Sequence, residues 1–172
     1  MTTITLVIEA LTACAIAFIL TNISIEDCRT FKIRNCWTLA VALAAFLYRL
    51  SLQTRMLSAG DFSDLTVTFG PAIEGLIGML SVALPMLLTE HFFHLTVGGG
   101  DIKLMAGLGM YLGWQGSVCV LMISNIAAVL VYAVRKMALK RDVNLKTHIP
   151  MGIYIQIGYT VVILWRLAEL TF

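Results

Sequence analysis

Residues 102–134 read IKLMAGLGMYLGWQGSVCVLMISNIAAVLVYAV, 33 residues that are apolar apart from Lys103 and are punctuated by Gly113 and Gly116. One crossing of the hydrocarbon core of a bilayer needs about 20 residues. The segment is too long for one crossing and short for two. Basic residues decide between the readings, because cytoplasmic loops carry the excess of Lys and Arg. A tight hairpin turning near Gly113–Gly116 puts the loops after the first, third and fifth helices on one side. Those loops hold Arg29, Lys32, Arg34, Lys103, Arg135, Lys136, Lys140, Arg141 and Lys146, nine of the 12 basic residues. Arg49, Arg55 and Arg166 are left on the other side. A single long helix would instead send the basic stretch at 135–146 outside. The hairpin reading predicts an all-α, polytopic membrane protein of about six transmembrane helices, with both termini outside the cytoplasm.

The rest of the chain agrees. Of 172 residues 59% are hydrophobic and 13% charged, and mean hydropathy is +0.90. Soluble domains carry about 25% charged residues, so the solvent for this surface must be lipid. Further apolar runs cover 4–25, broken by Glu9, then 36–52, 71–88 and 149–170. Trp37, Trp114 and Trp165 fall near span ends, as interface anchors do. The first run has no positive charge ahead of it and no small-residue exit, so it reads as a retained helix rather than a signal peptide. The length fits one membrane-embedded domain, 1–172. A net charge of +2 offers a nucleic acid no electrostatic footing. The four cysteines form no CxxC pair, which disfavours a zinc ribbon or thioredoxin-like site. Cys14 and Cys119, inside apolar runs, read as packing residues.

Charged residues within or beside spans are costly to hold there and are functional candidates. Asp27 follows the first helix and Asp101 precedes the fourth. The topology puts both at one membrane face and one depth. Two facing carboxylates suit peptide hydrolysis, since like charges in contact share one proton and supply a base and an acid together. Gly98, Gly99 and Gly100 ahead of Asp101 allow positive φ and a close backbone approach to an extended substrate. Gly98 is expected to matter less than Gly100, being farther from the carboxylate. The plainer reading is a flexible loop in which Asp101 caps the next helix. Lys103 either steadies the carboxylate charge or lies among lipid headgroups. Glu90, His91 and His94 form Glu-His-x-x-His, which lacks the base of a zincin at its proper place. They read as a solvated interfacial group, and no metal or cofactor is expected. Glu9 and Glu74 are expected to face other helices, with a relay role as the alternative. The basic stretch at 135–146 suits anionic lipid. The competing function is a small ion-coupled transporter or assembly factor in which the two aspartates bind a cation. A transporter predicts paired half-helices or an internal repeat, and neither is visible.

Gly98-Gly99-Gly100-Asp101-Ile102-Lys103-Leu104 resembles the GxGD signature, usually GxGDxKL, of the type IV prepilin peptidase family. Asp27–Asn35, DCRTFKIRN, resembles that family's first aspartate motif, which ends Ile-Pro-Asn. Arg34 stands where the proline is usual. Ile149-Pro150-Met151-Gly152 resembles its Ile-Pro-x-Gly before the last helix. The resemblance implies that Asp27 and Asp101 are catalytic, and that Asn35, Gly98, Gly99, Gly100, Lys103, Pro150 and Gly152 shape the site or bind substrate. It implies an aspartic endopeptidase of the bacterial inner membrane, with its site facing the cytoplasm. The partner is then a prepilin or pseudopilin whose short basic leader is removed. Many members also carry a zinc-binding domain of paired cysteines and methylate the new N-terminus. Those pairs are missing here, so the chain resembles the minimal branch that serves tight-adherence pili, and methyl transfer stays an open question, as does oligomeric state.

Overall fold

The computed structural model describes residues 3–58, 65–93, 98–139 and 150–171. Asp61, Asp64, His94, Lys140, Arg141 and Lys146 lie outside the described residues. The described residues form helices α1 (Thr3–Thr30), α2 (Asn35–Ser58), α3 (Leu65–Phe93), α4 (Gly99–Leu139) and α5 (Met151–Thr171). Each contains a stretch long and apolar enough to cross a membrane. Their outward faces are apolar: Phe18, Phe46, Met122, Ile126 and Leu164 are all more than half exposed. In water such a surface would be unfavourable, whereas against lipid tails it loses nothing. The core is made by Ile16, Leu20, Leu104, Leu108, Tyr111 and Tyr159, all fully buried. Helix α4 packs on α2, α3 and α5, and α1 packs on α2 and α5.

The all-α, multi-span expectation holds, with five helical stretches where about six were expected. The difference lies at Gly113. There α4 is broken by one residue at φ 78, ψ −179, a backbone that side chains with a Cβ rarely adopt. A Cβ on Gly116 would lie 2.9 Å from the Leu112 Cβ, whereas positions four apart in a straight helix are about 5–6 Å apart. Beyond the break the chain returns along α3. Gly113 adjoins Gly78, and Ser117, four residues on, sits 3.3 Å from Ser81. Farther on, Val120 and Ser124 adjoin Gly158 of α5. The hairpin therefore exists, and its legs abut at a single residue, so they form one continuous helical element.

The first leg, residues 99–112, is about 21 Å long at 1.5 Å per residue, short of the roughly 30 Å hydrocarbon core. Its last carbonyls thus open inside the membrane, where an unsatisfied one costs several kcal/mol. Arg49 of α2, only 6% exposed, satisfies them. Its Nε donates to the Met110 carbonyl at 2.7 Å and its Nη2 to the Tyr111 carbonyl at 3.1 Å. Its Nη1 pairs with Glu74 of α3 at 3.0 Å. Glu9 of α1 is buried and pairs with Arg166 of α5 at 2.7 Å. Glu9 faces α5 as expected, whereas the Glu74 side chain is 57% exposed and turns only part of its carboxylate inward to Arg49; each has a cationic partner.

Candidate active site

Three helix ends meet at one end of the bundle. The first is the end of α1. The N–H of Phe31 donates to the Asp27 carbonyl at 2.9 Å, and Phe31 takes φ 52, which stops the helix. The position after a helix is usually glycine for this reason. Residues 31–34 make a short connection. The Arg34 carbonyl then accepts the N–H of Trp37 at 3.1 Å and starts α2 at Asn35. The turn forms with arginine at the place of the proline.

Asp27 is 5% exposed. Its Oδ2 accepts the backbone N–H of Gly152 at 2.8 Å. Gly152 lies in the first turn of α5, just after Pro150, where N–H groups have no partner within the helix and point outward at an anion. A Cβ at Gly152 would sit 3.1 Å from Asp27 Oδ2 and 3.3 Å from the Asp27 Cβ. The close seating of α5 on Asp27 therefore favours a glycine, since any side chain would push Asp27 back by a few tenths of an ångström.

Asp101 lies in the first turn of α4 and is half-buried. Its N–H donates to the Gly98 carbonyl at 2.9 Å, so Gly98 is the residue that caps α4 and Asp101 is inside the helix. Asp27 and Asp101 lie within electrostatic reach of one another. Among the described glycines only Gly113 has positive φ, which corrects the expectation for the triple glycine: Gly99 and Gly100 are helical. What the glycines supply is clearance. A Cβ at Gly100 would lie 2.9 Å from the Ile33 Cβ, and one at Gly98 would lie 2.7 Å from Asp101 Oδ2. Around a Cβ at Gly99 there is open space. Gly98 thus sits against the Asp101 carboxylate although it lies three positions away along the chain. Lys103 is exposed and its Nζ donates to Asn35 Oδ1 at 3.1 Å. It ties α4 to α2 rather than meeting either aspartate.

Asp27, Asn35, Gly98, Gly100, Asp101, Lys103 and Gly152 are accordingly drawn into one cluster, with Pro150 opening α5 beside it. Glu26 and Trp37 belong to the cluster and are not legible as such in the sequence. The Trp37 indole N–H donates to Glu26 Oε2 at 2.7 Å, so this tryptophan is engaged with α1 rather than acting only as an interface anchor. Ser24, one turn before Asp27, has a buried hydroxyl without a partner among the described residues. His91 is exposed on the last turn of α3, with its ring edge-on to Phe92 at 5.4 Å.

The family model described as the type IV leader peptidase family matches residues 14–134, a stretch that holds both aspartates. The chain belongs to this family. It is similar to the prepilin leader peptidase/N-methyltransferase of Aeromonas salmonicida (strain A449), 35% identical over 119 residues, 66% of this chain and 40% of the relative. The protein of that description from Dickeya chrysanthemi is 31% identical over 101 residues, 53% of this chain and 36% of the relative. The one from Klebsiella pneumoniae is 29% identical over 102 residues, 51% of this chain and 45% of the relative. The chain thus spans less than half the length of these leader peptidases. No solved structure matches it.

Proposed function

We propose that this family member is an intramembrane aspartyl endopeptidase that removes the N-terminal leader of a prepilin-like protein. Asp27 and Asp101 would be its catalytic pair, acting at the cytoplasmic face of the inner membrane. What supports the reading is that two carboxylates from distant parts of the chain lie within electrostatic reach of one another at one end of the bundle, each beside a glycine that leaves it room. We assign the base to Asp27. One of its oxygens is fixed by the Gly152 N–H, which leaves the other to take a proton from the attacking water. Asp101 then carries the shared proton, hydrogen-bonds the scissile carbonyl oxygen, and later assists the departing amine. The leader stays in the cytoplasm while the apolar helix that follows it lies in the bilayer beside the enzyme. The nine-to-three division of basic residues supports this orientation.

The test is co-expression with a candidate prepilin and a gel-mobility assay of leader removal. Asp27→Asn and Asp101→Asn should each abolish processing at normal membrane levels, because each role needs a titratable carboxyl group. Wild-type cleavage by either variant refutes the pair.

A further inference from the structure

We propose that Glu26 is a positioning residue for the carboxylate pair, acting through the hydrogen bond it accepts from Trp37. The inference rests on the reading of Asp27 and Asp101 as catalytic. Glu26 precedes Asp27 on α1, and its side chain reaches across to the start of α2. Its Oε2 takes the Trp37 indole N–H at 2.7 Å, and its Oε1 lies 3.5 Å from Arg34 Nη1. These two arms are unequal. The Arg34 side chain is 69% exposed and its contact is long, so solvent screens it. The indole bond is short, partly buried and made to a charged acceptor, the stronger kind.

What this bond restrains is the connection 31–34 and the first turn of α2. Two of the contacts that align α4 with α1 run through that segment: Ile33 seats Gly100, and Asn35 holds Lys103. The connection has no proline to stiffen it, and Phe31 sits at φ 52, a conformation that persists only when the surroundings over-determine it. Glu26 and Trp37 tie both ends of the connection together beside Asp27. Without the tie, Ile33 and Asn35 drift, and Asp101 moves relative to Asp27. Displacement of about 1 Å in a catalytic constellation costs on the order of 100-fold in rate. Substrate contacts elsewhere stay in place, so the loss falls on kcat and not on KM.

The experiment measures kcat and KM of the full-length protein in membranes with a prepilin substrate, for Glu26→Ala, Trp37→Phe, the double variant and Glu26→Gln. Each of the first two should lower kcat by about 10–100-fold, with KM changed by no more than about threefold. The double variant should be no slower than the slower single one, because both remove one bond. Glu26→Gln, which keeps an oxygen to accept the indole N–H, should recover most of the rate. Wild-type rates in Glu26→Ala and Trp37→Phe, with Asp27→Asn inactive, overturn this inference and leave the proposed function standing. So do additive losses in the double variant, a Glu26→Gln as slow as Glu26→Ala, or lowered membrane levels at an unchanged rate per molecule. Failure of the wild type to cut any prepilin sinks the proposed function itself.

Discussion

Replacing Gly98 by alanine should slow cleavage while leaving the protein in the membrane. A Cβ at residue 98 would lie 2.7 Å from Asp101 Oδ2, about 0.3 Å inside the closest approach that a real Cβ tolerates. The backbone of Gly98 cannot easily give way, because its carbonyl holds the first turn of α4 through the N–H of Asp101 at 2.9 Å and of Ile102 at 3.3 Å. The carboxylate must therefore rotate. Forcing a side chain about 30° from its rotamer costs roughly 0.5–1.5 kcal/mol, and alanine is a poorer cap than glycine by roughly 0.5–1 kcal/mol. Neither sum unfolds a membrane bundle. For catalysis the same rotation moves the reacting oxygen, and a loss of about 10–100-fold, or roughly 1.4–2.7 kcal/mol of barrier, is expected. Gly99→Ala is the matched control. A Cβ there meets nothing within 4 Å, and alanine is the better helix former by about 1 kcal/mol, so its rate should fall by no more than about threefold. The assay is the time course of leader removal beside membrane level, for both variants. Equal rates in the two variants, or a wild-type rate in Gly98→Ala, would refute the clearance argument.

Other outcomes are expected. A chelator should leave cleavage intact, since a carboxylate that activates water needs no Lewis acid; inhibition by EDTA that zinc reverses would redirect attention to His91. Arg49→Met should lower thermal stability by roughly 1–3 kcal/mol, because it strips the Met110 and Tyr111 carbonyls of their donor; an undiminished protein would show that the turn at Gly113 needs no such cap. With Cys14, Cys28, Cys36 and Cys119 replaced, single cysteines in 135–146 should resist an impermeant thiol reagent in intact cells, while cysteines in 55–65 should react. The reverse pattern inverts the topology.

Composition was enough for the class of fold, and the charges of the loops give the direction in the membrane that the thiol labelling tests. Lipid rewards apolar runs regardless of what they pack against, and the positive-inside bias acts on loops one at a time. The hairpin near Gly113 was legible for the same reason, since span length is a local property. The aspartates could be singled out because each is a charge at the end of a span and sits in a recognisable motif. What the sequence alone could not decide were contacts between residues far apart in the chain. The bond from Gly152 to Asp27 spans 125 positions. Arg49 serves carbonyls 61 and 62 positions away, and nothing in the string IKLMAGLGMYLG announces that its helix ends inside the membrane. That Gly98 sits against the Asp101 carboxylate depends on where Asp101 turns once α4 forms, which distance along the chain does not give. Trp37 looked like any interfacial tryptophan until packing brought Glu26 within 2.7 Å of it. Burial and span length are sums over neighbouring residues, whereas a site is a coincidence of distant ones, and only the packing of helices against one another brings that about.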